Sequence, residues 1–222
     1  MQNIPQLVPL VVFIPLAGLL INLLLGRYLG ERGVGLVGVG AALLAFGVAV
    51  LQWIALSRTG YFPAVVEVPL IPNWINIPAA AVDIAWQFRV DTLSVTMMLV
   101  VSGIGSLIHI YATGYMHGDK MYPRFFVYLN LFLVFMMLLV TGNNFLVMFV
   151  GWEGVGLCSY LLIGFWWDKR ERPPDDAEYE RYGTLGWRNS IAARKAFIVN
   201  RVGDFGLLLA IFLIFWTFGT LD

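Results

Sequence analysis

Cysteine, histidine and charge are all scarce in this 222-residue chain. The one cysteine, Cys158, leaves no internal disulfide to form and sits within an apolar segment. The only two histidines are His109 and His117, and no His, Asp or Glu cluster stands at ligand spacing, so the sequence suggests no metal site. Charged residues make up 13% of the chain, 14 basic against 14 acidic, which leaves no basic patch for nucleic acid. No glycine-rich phosphate loop follows a strand and no dinucleotide fingerprint is present. Nothing in the chain therefore offers a seat for NAD, flavin, haem or an iron–sulfur cluster. The opening Met1-Gln-Asn-Ile-Pro5 lacks the positive region of a secretory signal, and the first apolar run is too long for a signal core. It reads as a spanning helix.

What the chain has is hydrophobicity. Apolar residues make up 59% and the mean hydropathy is +0.79, which excludes a soluble globular domain and indicates a multi-pass membrane protein. Six segments reach the roughly 20 residues a spanning helix needs. They lie at 4–26, 33–56, 92–112, 123–141, 144–166 and 195–219. Helices are expected because lipid cannot satisfy an open backbone. The fold class is thus an all-α membrane protein of about six transmembrane helices, with no internal repeat.

Lysine and arginine set the orientation. Arg27, Arg32, Lys120, Arg124, Lys169, Arg170, Arg172, Arg181, Arg188, Arg194 and Lys195 fall on one side, against Arg58 and Arg89 on the other. The positive-inside rule places the first set in the cytoplasm and the N-terminus outside, in the periplasm of a bacterium. The chain then divides into helices one and two (1–56), an outer loop (57–91), helices three to five (92–166), an inner loop (167–193) and the sixth helix with the C-terminus (194–222). In the outer loop, Val82-Asp-Ile-Ala-Trp-Gln-Phe-Arg-Val90 alternates apolar and polar residues, the mark of a short strand or hairpin. The inner loop is hydrophilic and reads as solvated, with no catalytic role. Tyr122, Tyr128, Trp166, Trp167 and Trp187 lie near interfaces, where aromatic anchoring is expected.

The candidate chemistry is charge at membrane depth. Glu153 lies about 14 Å into its segment from Asn144, near the middle of a core about 30 Å thick. An ionisable residue there costs several kcal/mol unless paired, hydrated or protonated, and marks an ion or proton path by default. Its own helix offers no cation one turn away, and the sixth helix offers Arg201, Asp204 and Lys195 as candidate partners. The glycines around it, Gly151, Gly154 and Gly156, suit close helix packing and leave room for water. The sixth segment carries Lys195, Arg201 and Asp204; the last two are three apart and share a face. A neutralised structural pair is the alternative for Arg201 and Asp204, as snorkelling is for Lys195. His109 titrates near neutrality in principle, with a packed histidine as the alternative.

These residues carry a resemblance. Gly151-Trp-Glu-Gly-Val-Gly-Leu-Cys-Ser-Tyr-Leu-Leu-Ile-Gly-Phe165 and Lys195-Ala-Phe-Ile-Val-Asn-Arg-Val-Gly-Asp204 resemble the L subunit (chain 5) of proton-pumping NADH:quinone oxidoreductase, respiratory complex I. Phe88-Arg-Val-Asp-Thr-Leu-Ser94, His109-Ile-Tyr-Ala-Thr-Gly-Tyr-Met116 and Phe126-Val-Tyr-Leu-Asn-Leu-Phe132 support it. The resemblance implies the N-terminal part of an antiporter-like bundle in which Glu153, Asp204, Lys195, Arg201 and His109 serve proton translocation. It also implies an inner (plasma) membrane location and membrane-arm partners, above all the neighbouring antiporter-like subunit. NADH, FMN, iron–sulfur clusters and quinone are expected in partner subunits, and no redox chemistry in this chain. The family runs much longer, and its seventh-helix lysine lies beyond residue 222, so a complementary C-terminal chain is expected. A cation/proton antiporter or membrane-hydrogenase subunit, or a non-pumping structural subunit, are the alternatives.

Overall fold

The computed structural model describes residues 4–59, 63–68, 74–77, 82–173 and 175–221. Residues 1–3, 174 and 222 and the stretches 60–62, 69–73 and 78–81 of the expected outer loop lie outside the described residues.

The first two expected spans form one helical hairpin. Helix α1 runs Leu10–Thr59 and reverses at Gly30, whose φ of 65° and ψ of 175° suit a residue without a Cβ. On a straight helix Gly18 and Ala41 would stand about 34 Å apart. Here a Cβ on Gly18 would come within 2.6 Å of Ala41 Cβ. The Asn22 amide donates to the Val34 carbonyl at 3.2 Å, and the Gln52 amide to the Ile4 carbonyl at 2.8 Å, so the two arms run antiparallel. Among the described residues five apolar helices are long enough to cross a membrane, and the first supplies two arms.

The other spans follow the expected segments with local stop and start signals. Helix α2 (Thr92–Tyr115) begins in a capping box: Asp91 accepts the Ser94 N–H at 2.8 Å and the Ser94 hydroxyl accepts the Asp91 N–H at 2.8 Å. Burial pushes the Asp91 carboxyl up, but the Ser94 and Arg89 hydrogen bonds outweigh it and hold it below its ordinary range. Helix α3 (Tyr122–Thr141) opens with a proline in its first turn. Helix α4 (Phe145–Ile163) is capped by Asn144, which also donates to the Ala85 carbonyl at 2.9 Å and so ties α4 to the outer loop.

Two differences concern the polar segments. The expected inner loop contains the short helix α5 (Asp176–Tyr182), capped by Asp175, and the first turns of α6 (Leu185–Phe218). Arg188, Arg194 and Lys195 lower the hydropathy of those turns and hide their helicity from a hydrophobic window. Gly186 lets them dock: its N–H donates to the Lys169 carbonyl at 2.8 Å, and a Cβ there would stand 2.2 Å from the Trp167 carbonyl oxygen. At about 51 Å, α6 exceeds the hydrocarbon thickness, so its charged turns reach beyond the core. In the outer loop the alternating stretch holds two strands that pair with earlier ones. Strand β1 (Ala64–Glu67) pairs antiparallel with β4 (Gln87–Val90), and β2 (Ile75–Ile77) pairs with β3 (Val82–Ile84). Phe88 turns inward, fully buried, and bridges to Gly142 between α3 and α4.

The core lies among α1, α2 and α3, where Val8, Val11, Met98, Leu133 and Met137 are fully or almost fully buried. Tyr122 belongs to this packing, buried against Phe126, rather than to an interfacial belt. Helix α4 lies on α3 and α6 lies on α4. Small residues allow the first of these contacts: a Cβ on Gly151 would stand 2.4 Å from the Leu139 nitrogen, and one on Gly154 2.1 Å from the Phe135 ring.

Candidate functional site

The site forms where α6 crosses α4. Glu153 stands eight residues past Phe145, about 12 Å along α4, in an otherwise apolar helix. Its neighbours Gly151 and Gly154 press against α3, which turns the carboxylate toward α6. On α6, Arg201 and Asp204 occupy one face a turn apart.

Arg201 joins both acids. Its Nη1 donates to Glu153 Oε2 and lies 3.7 Å from Asp204 Oδ2. Asp204 is the most enclosed member, its side chain 5% exposed against 25% for Glu153 and 40% for Arg201. The indole N–H of Trp152 donates to Asp204 Oδ1 at 2.8 Å. Asp204 Oδ2 and Arg201 Nε are buried without a hydrogen-bond partner among the described residues. A cavity of about 290 Å³ adjoins the cluster, bounded by Trp152, Gly156, Ser159, Asn200, Gly203 and Asp204. It has room for water beside the carboxylates.

Glu153, which has no cation one turn away on its own helix, takes Arg201 from α6 across the helix interface. Arg201 and Asp204 are not a closed pair, because the guanidinium is shared with a second carboxylate. Two carboxylates and one guanidinium sum to one negative charge.

The remaining candidates lie elsewhere. Lys195 is exposed on α6, with no ion pair to the cluster among the described residues. Nine residues separate it from Asp204, which places the two on opposite faces of α6. His109 is buried on α2, where its Nδ1–H donates to the Gly105 carbonyl at 2.7 Å and its ring meets Phe126 edge-on. That carbonyl only accepts, so the proton is assigned to Nδ1. Its Nε2 faces no partner among the described residues. The structure brings together Glu153, Arg201 and Asp204 and leaves Lys195 and His109 apart from them.

Sequence reasoning gave Trp152 no polar role in the site. The signal was available, since an indole N–H away from water usually finds an acceptor. Asn200 was also missed; its side chain approaches Gly156, where a Cβ would stand 3.6 Å from Asn200 Nδ2.

Known proteins resemble the chain on the same residues. Residues 74–126 match the family model "NADH-Ubiquinone oxidoreductase (complex I), chain 5 N-terminus", and residues 142–222 match "NADH:quinone oxidoreductase/Mrp antiporter, TM". The second span contains Glu153, Arg201 and Asp204. NADH-quinone oxidoreductase subunit L of Mycobacterium tuberculosis is 47% identical over 214 residues, 96% of this chain and 30% of that protein. NADH-ubiquinone oxidoreductase chain 5 of Allomyces macrogynus is 40% identical over 218 residues, again 96% and 30%. The chain therefore spans about 30% of the length of these relatives. Among solved structures, the archaeal membrane-bound sulfane sulfur reductase aligns with a TM-score of 0.71 at 15% identity, over 98% of this chain and 38% of its counterpart. The Mrp complex of Dietzia sp. DQ12-45-1b aligns with a TM-score of 0.68 at 24% identity, over 96% and 20%. Both share the fold.

Proposed function

The chain belongs to the subunit L / chain 5 family of NADH-quinone oxidoreductase, and from that premise we propose that it forms the N-terminal, glutamate-bearing part of a proton-translocating membrane-arm subunit. The observation that carries the proposal is the sharing of Arg201 between Glu153 on α4 and Asp204 on α6, at membrane depth.

The cluster works as a charge switch. With Glu153 ionised, the guanidinium is held toward α4. When a proton neutralises Glu153, Coulomb attraction to it falls away and Asp204, 3.7 Å away, becomes the stronger partner. Trp152 holds Asp204 in place through the exchange. The adjoining cavity supplies water to carry the proton. Each turn of the switch takes one proton and moves one guanidinium by a short distance. In the full subunit a cation on a later helix would compete for Glu153 and drive the exchange, so a complementary C-terminal segment is part of the proposal. His109 and Lys195 would act as relays on the approach rather than as members of the switch.

The wider assignment follows the same reading. The chain sits in a bacterial inner membrane with its Lys/Arg-rich loops in the cytoplasm and its N-terminus outside. It packs against the neighbouring antiporter-like subunit. NADH, FMN, iron–sulfur clusters and quinone belong to partner subunits, whose redox chemistry supplies the driving force. A second reading, a cation/proton antiporter subunit, draws on the family model that spans both groups.

The test is proton uptake by inverted membrane vesicles carrying the assembled enzyme. Glu153→Gln should lower protons moved per NADH oxidised while electron transfer with an uncoupler continues. Unchanged uptake would leave a structural, non-pumping subunit as the better reading. Uptake driven by a sodium gradient without NADH would favour the antiporter.

A further inference from the structure

A second site lies away from the switch, where the first arm of α1 meets the start of α3. Gly26 lets the two approach closely, since a Cβ there would stand 2.9 Å from Pro123 Cβ. Beside this contact a groove of about 560 Å³ opens along the bundle surface. Its walls are apolar, with Leu23 and Leu24 largely exposed on α1 and Val127 buried at its base on α3. Its mouth carries Arg27, Lys120 and Arg124 and no carboxylate among its described lining.

Among the described residues the three cations are uncompensated. None forms an ion pair with a described residue. Arg27 donates to the Tyr28 hydroxyl and Arg124 to the Tyr128 hydroxyl, each at 2.6 Å, which orients the guanidinium groups without neutralising them. The neighbouring acid, Asp119, spends its oxygens on the Met121 N–H at 2.8 Å and the Trp166 indole at 2.9 Å. Lys120 and Arg124 also flank the N-terminus of the 20-residue helix α3, whose dipole adds positive potential at the same spot.

We propose that this groove binds one anionic phospholipid, its phosphate held by Arg27, Lys120 and Arg124 and an acyl chain laid along Leu23, Leu24 and Val127. Ordinary snorkelling places cations singly at the headgroup level. Here three line one groove, Arg27 from α1, Arg124 from α3 and Lys120 from the turn before α3, over an apolar channel, the arrangement expected of a basic lipid pocket between transmembrane helices. A soluble anion would use the charges and leave the apolar walls unused. A zwitterionic lipid would bring a cation into an already positive mouth.

Native mass spectrometry of the full chain in mild detergent tests this, with phosphatidylglycerol and phosphatidylcholine of identical acyl chains. One phosphatidylglycerol per chain should bind about tenfold or more tightly than phosphatidylcholine. The set Arg27→Gln, Lys120→Gln, Arg124→Gln should abolish the preference, while Arg58→Gln, Arg170→Gln, Arg181→Gln, with the same change of net charge, should keep it. Val127→Trp fills the groove without touching the charges and should weaken retention by itself, which keeps the test usable if the triple variant misfolds. Equal retention of the two lipids, or a preference that survives both the triple variant and Val127→Trp, would overturn the proposal. So would displacement of the lipid by millimolar inorganic phosphate, which would indicate a soluble-anion site.

Discussion

The indole N–H of Trp152 on α4 donates to the carboxylate of Asp204 on α6 at 2.8 Å. The next residue on α4, Glu153, accepts from Arg201, one turn from Asp204. Two consecutive residues of one helix thus hold two residues of the other in a crossed arrangement. Among the described elements α6 has no other large packing partner, and most of its apolar residues from Ile198 to Phe218 are exposed. The polar cross-link and the α4 contact together fix its register. In a membrane, where lipid is as apolar as leucine, polar links of this kind contribute a large share of helix association.

Removing Arg201 is therefore expected to cost both function and stability. Arg201→Gln leaves two carboxylates without a cation at membrane depth and should destabilise by roughly 3 kcal/mol, the lower end for a broken buried pair because Arg201 is part-exposed. Thermal unfolding in detergent measures it. Arg201→Lys should recover part of the loss.

Trp152→Phe keeps the ring and deletes the hydrogen bond. It should destabilise by about 1–2 kcal/mol. Combined with Asp204→Asn in a double-mutant cycle, it should show a coupling of at least about 0.5 kcal/mol. Additive losses would mean that the 2.8 Å contact carries no energy.

Gly154 is held against the Phe135 ring on α3, so that a Cβ would fall 2.1 Å from it. Gly154→Ala should push α4 from α3 and destabilise by about 1–3 kcal/mol through overpacking. Gly203, where a Cβ meets nothing within 4 Å, serves as the control: Gly203→Ala should be neutral or mildly stabilising.

The Asp91 cap supplies a pH-dependent prediction outside the membrane. Its native carboxyl is held below its unfolded value, so its stabilisation is full above the unfolded value and is lost as pH falls through the native one. Asp91→Asn preserves the cap geometry and removes the titration. The wild-type protein should be the more stable at neutral pH, and the difference should shrink below about pH 4. Melting temperatures of the two proteins across that range check it.

Much of this was legible in the sequence, for physical reasons. Glu153, Arg201 and Asp204 announce themselves because each interrupts an apolar run, where a charge is costly and rare. The spans 92–112 and 123–141 matched α2 and α3 closely because a capping box and a first-turn proline mark their starts. The first turns of α6 were hidden, since hydropathy cannot distinguish a charged helix turn from a loop. The pairing of β3 and β4 with earlier strands was hidden as well: alternation marks a strand without naming its partner. That Arg201 serves Glu153 before Asp204 depends on how α6 lies on α4, and no spacing along one chain encodes it.

The central claim of the proposed switch is that Glu153, which shares Arg201 with Asp204, takes up and releases a proton. Infrared difference spectroscopy of the chain in lipid, recorded across a pH titration in H₂O and D₂O, reads it directly. The account predicts a protonated-carboxyl C=O band that appears within the titration, shifts in D₂O, disappears in Glu153→Gln and is altered by Arg201→Lys. Carboxyl bands that are the same in Glu153→Gln as in the wild-type protein would contradict it.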